Sequence, residues 1–322
     1  MEYRKLGRTG WKISAVSVGT WAMGSLWGAV DPRESLAVLN RALDLGVNFF
    51  DTSDAYGSEP LLGRLRRQRH EPFYIATKMG MGVNPDPRGY TPRNLDAFVE
   101  GSLRNLGTDT IDLMQLHCPP IEVYNAETFG ILDELVKQGK IRYYGVSVER
   151  IDEGKAAIQF PGVQSVMIVF NMFRQRPLED FFPEAQRRQV GVIARVPMAS
   201  GLLTGKMTQA TTFARDDHRA FNRQGQAFDR GETFSGVDFE KGLEAVEELR
   251  PLVPSGATMA QLALRWILMS ETVACAVPGA KRPAQVEDTL RAADLPPLSD
   301  STMEKIRKIY DRRIRPDVHQ LW

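Results

Sequence analysis

Asp51, Tyr56, Lys78 and His117 bring a carboxylate, a phenol, an ammonium and an imidazole into the first 117 residues of the chain. Together such groups can move a proton. Asp51 and Tyr56 sit in FFDTSDAYG, Lys78 ends FYIATK, and His117 ends IDLMQLH. A carbonyl accepts hydride only if its oxygen takes up a proton as charge develops there. A tyrosine, with an ordinary pKa of about 10, can be that acid, and a neighbouring Lys78 would ease formation of its phenolate. Asp51 would hold Lys78 through a charge-assisted hydrogen bond. His117 could donate to the carbonyl oxygen and orient it. Taken singly, Asp51 reads as a turn cap, Lys78 as a solvated lysine and His117 as a satisfied core histidine. Their joint occurrence at the ends of three successive apolar runs favours catalysis.

Those runs must be strands for the four groups to converge. Candidate strands are 15–19, 47–51, 72–78, 111–117, 141–147, 163–170, 191–196 and 272–277. Helical spacing lies between them. Pro32-Arg33-Glu34 opens one helix, Leu36, Leu39, Leu43 and Leu45 line a face, and Gly46 stops it. Thr91-Pro92 opens another, with Leu95, Phe98, Val99 and Leu103 facing inward and Gly107 as the stop. Leu132, Leu135 and Val136 repeat the pattern before Gly139. Eight strand–helix pairs predict an α/β fold of the (β/α)8 TIM-barrel type, with the active site at the C-terminal ends of the strands. A doubly wound sheet would announce a nucleotide by GxGxxG after its first strand, and GTWAMGSLWG does not fit. The opening YRKLGRTGWKIS reads as an N-terminal β-hairpin turned at Arg8 to Gly10, covering the barrel's N-terminal mouth.

After the seventh strand comes a long polar loop, residues 208–237, in which Phe213, Phe221, Phe228 and Phe234 call for something to pack on. The tail ending in Trp322 is best explained by docking. The 322 residues suit one domain, because α/β barrels run to this length. Net charge is +1, from 41 basic and 40 acidic residues, so neither nucleic acid nor an anionic membrane is an expected partner. The basic run RLRRQRH at 64–70 reads as a solvated helix end. Cys118 and Cys275 form no CxxC or zinc spacing, no metal is expected, and Cys118 reads as a packing residue. The N-terminus lacks an apolar signal segment and no run approaches 18 apolar residues, so the expected location is cytoplasmic. A helical barrel exterior suits water and another copy equally, so no oligomeric state is assigned.

KLGRTGWKIS, GVNFFDTSDAYG, ATK, IDLMQLH, GVS, PMASGLLTGK and PGAKRPAQVEDTL occur in this order along the chain. With the four polar residues they resemble the aldo-keto reductase superfamily along essentially the whole length. The resemblance implies a barrel that binds an extended nicotinamide dinucleotide, and it implies Asp51, Tyr56, Lys78 and His117 as the catalytic set. Gly19, Thr20 and Trp21 match the loop near the nicotinamide, Asp51 lies beside it, and Ser147 matches a residue holding the carboxamide. Val148 stands where Asn is frequent, and Met167 stands where a carboxamide-binding Gln is usual, with Gln164 one pleat out of phase. Arg195 replaces an aromatic residue that stacks on the nicotinamide; its charge should disfavour the oxidised, cationic ring. Pro197, Met198, Ser200, Gly201 and Leu203 belong to the loop matching the pyrophosphate wrap. Gly279, Lys281, Arg282, Gln285 and Asp288 match the phosphate and adenine end. Two cations before Pro283 suit a 2′-phosphate, so NADP(H) is expected over NAD(H).

The leading expectation is an NADP(H)-dependent reductase of small-molecule aldehydes or ketones. A second is a cofactor-binding regulatory or partner subunit with little catalysis, since potassium-channel beta subunits resemble the same family. A third, glycoside hydrolysis by a carboxylate pair, finds no Asp or Glu pair singled out by spacing. Loops decide substrate in such barrels; those at 79–90, 118–125 and 208–237, with the tail, would do so here.

Overall fold

A computed structural model describes every residue except Ser25 and Ala29. The chain opens with an antiparallel hairpin, β1 (Tyr3–Lys5) and β2 (Lys12–Ser14), turned through Gly7–Thr9. Eight parallel strands follow in chain order: β3 (Val18–Gly19), β4 (Phe49–Asp51), β5 (Tyr74–Met79), β6 (Ile111–His117), β7 (Ile141–Val148), β8 (Val163–Val169), β9 (Gly191–Arg195) and β10 (Val273–Ala276). Each pairs with the next. The first and last then meet. Ser17 N donates to Ala276 O at 2.9 Å, Ala276 N to Ala15 O at 2.9 Å, and Gly19 N to Pro278 O at 3.0 Å. The sheet has no free edge, and with helices outside it is a (β/α)8 barrel.

Local chemistry ends the helices where the sequence suggests. The Asp31 carboxylate accepts from Arg33 N at 2.8 Å at the start of helix Pro32–Asp44. Thr91 caps Pro92–Leu106, and Gly107, in the left-handed region, closes it. The buried faces differ in detail from the expected leucine stripes. On the first helix Ser35, Val38, Leu39, Ala42 and Leu43 are buried, while Leu36 and Leu45 are half-buried. On the second, Ser102 and Leu106 are buried and Phe98 and Leu103 are half-buried. Small residues on the contact line let a helix approach the sheet, and the larger side chains then cover the flanks.

Two apolar layers result. One lies between strands and helices. The other fills the barrel with Phe49, Ala76, Leu113, Met167, Ile193, Ala274 and Cys275, and Leu6 and Ile13 of the hairpin complete it. The hairpin is therefore a plug. Gly7, at φ +50°, sits so close to β9 that a Cβ there would lie 2.4 Å from Gly191 N. Arg8 ties the plug to strand starts, donating to Val163 O at 2.6 Å and Pro161 O at 2.9 Å.

The stretch 208–237 packs on the barrel mouth through its phenylalanines. Phe213 and Phe234 lie 5.9 Å apart, and Phe228 meets Trp21 at 6.1 Å. Trp322 is buried and docks on this stretch, its Nε1 donating to Asp229 Oδ1 at 3.0 Å and its ring covered by Arg174 at 3.6 Å. Among the described residues no helix is long and apolar enough to cross a membrane.

The plug makes a stability prediction. Leu6 is fully buried in the barrel interior, so Leu6→Ala should lower the unfolding free energy by about 3 kcal/mol. Urea denaturation followed by far-UV dichroism reads this; an unchanged midpoint would remove the hairpin from the core.

Candidate active site

Side chains alternate across a strand, so a residue two places beyond an interior apolar residue also faces the barrel axis. Phe49, Ala76 and Ile193 fill the interior. Two residues later stand Asp51, Lys78 and Arg195, at the C-terminal mouth. Leu113 leads likewise through Gln115 to His117, and Gly145 to Ser147. Period-two alternation therefore delivers the charged groups to one end, above an interior that is apolar apart from residues such as the buried Gln115.

Lys78 is 1% exposed, which demands a partner. Its ammonium lies 2.8 Å from Asp51 Oδ1, and it donates to Asp51 Oδ2 at 2.9 Å and Thr52 O at 2.7 Å. The Tyr56 hydroxyl stands 3.5 Å from Lys78 Nζ. His117 meets the edge of the Tyr56 ring at 5.7 Å between centroids, and its Nδ1 lies 3.0 Å from Ser53 Oγ. The four groups expected from sequence thus form one contiguous cluster.

The cluster's electrostatics favour an acid. Burial, then the Asp51 and Glu232 carboxylates, hold the Tyr56 phenol well above its ordinary value, with Arg195 opposing. The expectation that Lys78 eases phenolate formation meets a counterweight, because Asp51 offsets the lysine's charge. Burial, then Lys78 and Arg195, hold the His117 imidazole well below its usual range, so it is neutral near pH 7. Burial raises the Asp51 carboxyl and Lys78 opposes that shift.

From this cluster a cleft of about 380 Å³ runs across the mouth. Asp51, Tyr56, Lys78, Ser147, Met167 and Arg195 line one end. Gly19, Trp21 and Gly279 line it beside β3, where Gly279 bridges to Gly19, and Pro197, Met198, Ser200, Gly201, Lys281, Gln285 and Asp288 line the rest. Ala199, Ser200 and Gly201 have positive φ values of 45°, 54° and 103°, which coil the backbone tightly along the wall.

Four of the residues singled out from sequence do not line this cleft. Leu203 is fully buried in the outer apolar layer. The Thr20 hydroxyl is committed to Asp51 O at 3.0 Å and to Ser58 Oγ at 2.8 Å. Arg282 is exposed and begins helix Pro283–Leu290, and His117 lies behind Tyr56. Others line the cleft with their polar atoms already engaged. Gln285 Oε1 accepts from Lys281 N at 2.7 Å and Arg282 N at 3.1 Å. Asp288 accepts from Gln261 Nε2 at 2.7 Å. The Lys281 ammonium rests on Trp27 O. Gln164 faces away, accepting from Arg8 Nε at 3.4 Å.

The long loop supplies residues that sequence reasoning did not single out. Arg219 and Glu232 both line the cleft. Arg219 is ion-paired with Asp217 at 2.6 Å, and its guanidinium lies 4.6 Å from the Trp27 ring centroid. His218 N donates to Leu26 O at 3.0 Å, and the His218 ring stacks on Trp21 at 4.9 Å. The loops after β3 and β9 are thereby strapped together across the cleft. Glu232 forms an ion pair with Arg195. The expectation that Arg195 repels a cationic ring presumed an unpaired guanidinium, and Glu232 supplies its counter-charge. The one signal for these residues in the sequence is their place in a long loop.

Comparisons with known proteins agree with this geometry. The description "Aldo/keto reductase family" matches residues 15–311. The chain is 33% identical over 300 residues to aldo-keto reductase YhdN of Bacillus subtilis (strain 168), covering 89% of this chain and 87% of that protein. It is 29% identical over 321 residues to aldo-keto reductase yakc [NADP(+)] of Schizosaccharomyces pombe, covering 96% and 91%. Among solved structures it is similar to the glycerol dehydrogenase AKR11B4 from Gluconobacter oxydans, with a TM-score of 0.81, 30% identity, and 97% and 96% of the two chains covered. The barrel, the four-residue cluster at its mouth and a match across 15–311 lead to one assignment: this chain belongs to the aldo/keto reductase family.

Proposed function

We propose that this protein is an NADP(H)-dependent oxidoreductase that reduces aldehyde or ketone carbonyls to alcohols, with Tyr56 as the general acid. One observation carries the reading. A half-buried tyrosine hydroxyl, kept protonated, stands 3.5 Å from a lysine that is itself ion-paired, in the wall of the cleft.

The cleft suits a dinucleotide. Its inner end offers Ser147, Trp21 and Arg195 to a nicotinamide, its wall the coiled backbone at Ser200 and Gly201, and its outer end Lys206, Arg219 and Lys281 to phosphates. Arg219 is already paired with Asp217, so Lys206 and Lys281 are the cations that favour the cofactor with the extra phosphate. The bound cofactor supplies the hydride that goes to the carbonyl carbon. The chain's part is the proton and its placement. Tyr56 gives its hydroxyl proton to the carbonyl oxygen as the C=O π bond becomes a C–O–H bond. Lys78, 3.5 Å away, stabilises the phenolate left behind, and solvent reprotonates it. His117, neutral and packed against the edge of the Tyr56 ring with its Nδ1 3.0 Å from Ser53 Oγ, supports the phenol from outside the cleft, so the donor role expected from sequence passes to Tyr56 alone. Trp21 and Trp27 make an apolar wall that excludes water from the reacting carbon. In alcohol oxidation the same phenolate is the base. A partner subunit with little catalysis gains nothing from a complete, desolvated proton-transfer set, so reduction is the better reading.

Tyr56→Phe should lower kcat for a simple aldehyde by about 10²- to 10⁴-fold. The Kd for NADPH, read by quenching of Trp21 and Trp27, should stay nearly constant. Retained turnover would remove Tyr56 from the chemistry.

The pH dependence follows from the same cluster. A phenol held above its usual value stays protonated as pH rises, so carbonyl reduction at saturating cofactor should be flat from about pH 6 to 9. Alcohol oxidation needs the phenolate and should climb through that window. An ionisation near pH 6.5 in the reduction profile would mean that His117 titrates there and is not held neutral.

At the far end, Lys281→Gln should weaken NADPH about tenfold by removing one charge-assisted contact, with little effect on NADH. Equal losses for both would place the 2′-phosphate elsewhere.

A further inference from the structure

Arg195 ends β9 at the mouth of the barrel and is 8% exposed. Its Nη2 donates to Val148 O at 2.7 Å and approaches Cys118 Sγ at 3.5 Å, and its Nη1 pairs with Glu232. Glu232 is not on a neighbouring strand. It comes from the loop after β9, in the turn Arg230–Glu232, and that turn is held on both sides. Ser200 Oγ donates to Glu232 O at 2.8 Å and accepts from Phe234 N at 3.0 Å. Asp229 caps the turn through Gly231 N at 2.7 Å and is gripped by Trp322 Nε1 at 3.0 Å. The barrel, the loop and the tail together fix this one carboxylate against the guanidinium.

Its neighbours do not duplicate its charge. Cys118, Glu149 and Glu232 bring a thiol and two carboxylates within 4.8 Å of one another. Burial raises the Cys118 thiol, and burial, then Asp229 and Glu232, push Glu149 up to about 8. Both are mainly neutral near pH 7. Asp229 lies beside Arg174, a second buried guanidinium. Glu232 is therefore the carboxylate ion-paired with Arg195, whose other contacts are the Cys118 sulfur and Val148 O.

We propose that Glu232 is a positioning residue that sets the balance between oxidised and reduced cofactor. This rests on the reading that the nicotinamide lies beside Arg195. The oxidised ring carries a positive charge and the reduced ring is neutral. A bare guanidinium in a desolvated cleft penalises the oxidised form alone. Neutralised by Glu232, Arg195 keeps its planar face and its anchor on Val148 O without that penalty. The site then holds both forms with comparable affinity, as a reversible oxidoreductase requires.

The test titrates the full-length protein with NADP+ and NADPH by tryptophan quenching, in wild type, E232Q, R195Q and E232Q/R195Q. The expected wild-type Kd values lie within about tenfold of each other. E232Q should weaken NADP+ about tenfold relative to NADPH. R195Q, leaving the carboxylate unpaired, should shift the ratio the opposite way, and the double variant should restore it. Opposite signs in the two single variants cannot come from a merely loosened loop, and R195Q against wild type still decides the matter if E232Q does not fold. Equal losses for both forms, or an unmoved ratio, would overturn the role of Glu232 while leaving the reductase reading intact. Wild type that binds neither form would overturn both.

Discussion

A lysine buried to 1% exposure inside a barrel is tenable only with an anion against it. An isolated buried ammonium costs several kcal/mol. Asp51, one strand away, meets that need at 2.8 Å, and Thr52 O accepts a further hydrogen bond from the ammonium at 2.7 Å. This pair ties β4 to β5 at the mouth and puts Tyr56, five residues past Asp51, within 3.5 Å of the ammonium. It also decides the electrostatic character of the site. Because Asp51 cancels the lysine's charge at long range, Tyr56 feels burial first and remains a phenol. Lys78 is close enough to matter when a phenolate forms. An acid that is firmly protonated at rest and stabilised only once it has reacted is what carbonyl reduction asks of a general acid.

The second constraint lies outside the barrel. A (β/α)8 scaffold offers strand ends but no roof. The roof is the loop 208–237, strapped to the loop after β3 by Arg219 over Trp27 and by the His218–Leu26 hydrogen bond. Trp322 holds it from behind through Asp229. The same structure that covers the cleft therefore carries charge into it. Glu232 reaches Arg195, and Arg219 joins Lys206 and Lys281 along the outer end. The cover of the cleft and part of its charge thus come from one segment that has little regular structure of its own.

Much of this was legible in the sequence because it obeys short periods. Short apolar runs predicted eight strands with Asp51, Lys78 and His117 at strand ends, and the two-residue period put Gln164 out of phase. Openings such as Pro32 and Thr91-Pro92 and stops such as Gly107 set helix ends, since they act on backbone groups within four residues. The helix faces were read less well. Leu36 and Leu45 fit a periodic stripe, yet the sheet took Ser35 and Ala42 against it, because close approach depends on the partner's shape.

The sequence by itself determined the barrel, the four polar residues that gather at its mouth and the strand ends that present them. Those properties follow from local periodicity and from residue chemistry at fixed offsets. Tertiary structure alone decided which charges neutralise which. The pairing of Arg195 with Glu232 spans 37 residues, and Trp322 grips Asp229 across 93. It also left Arg282 and Leu203 off the cleft and engaged the side chains of Gln285 and Asp288 in caps and ties. No periodicity relates residues so far apart, and their meeting depends on the path of an irregular loop. The sequence could therefore name a cation at the end of β9, but only the folded chain could supply its counter-charge.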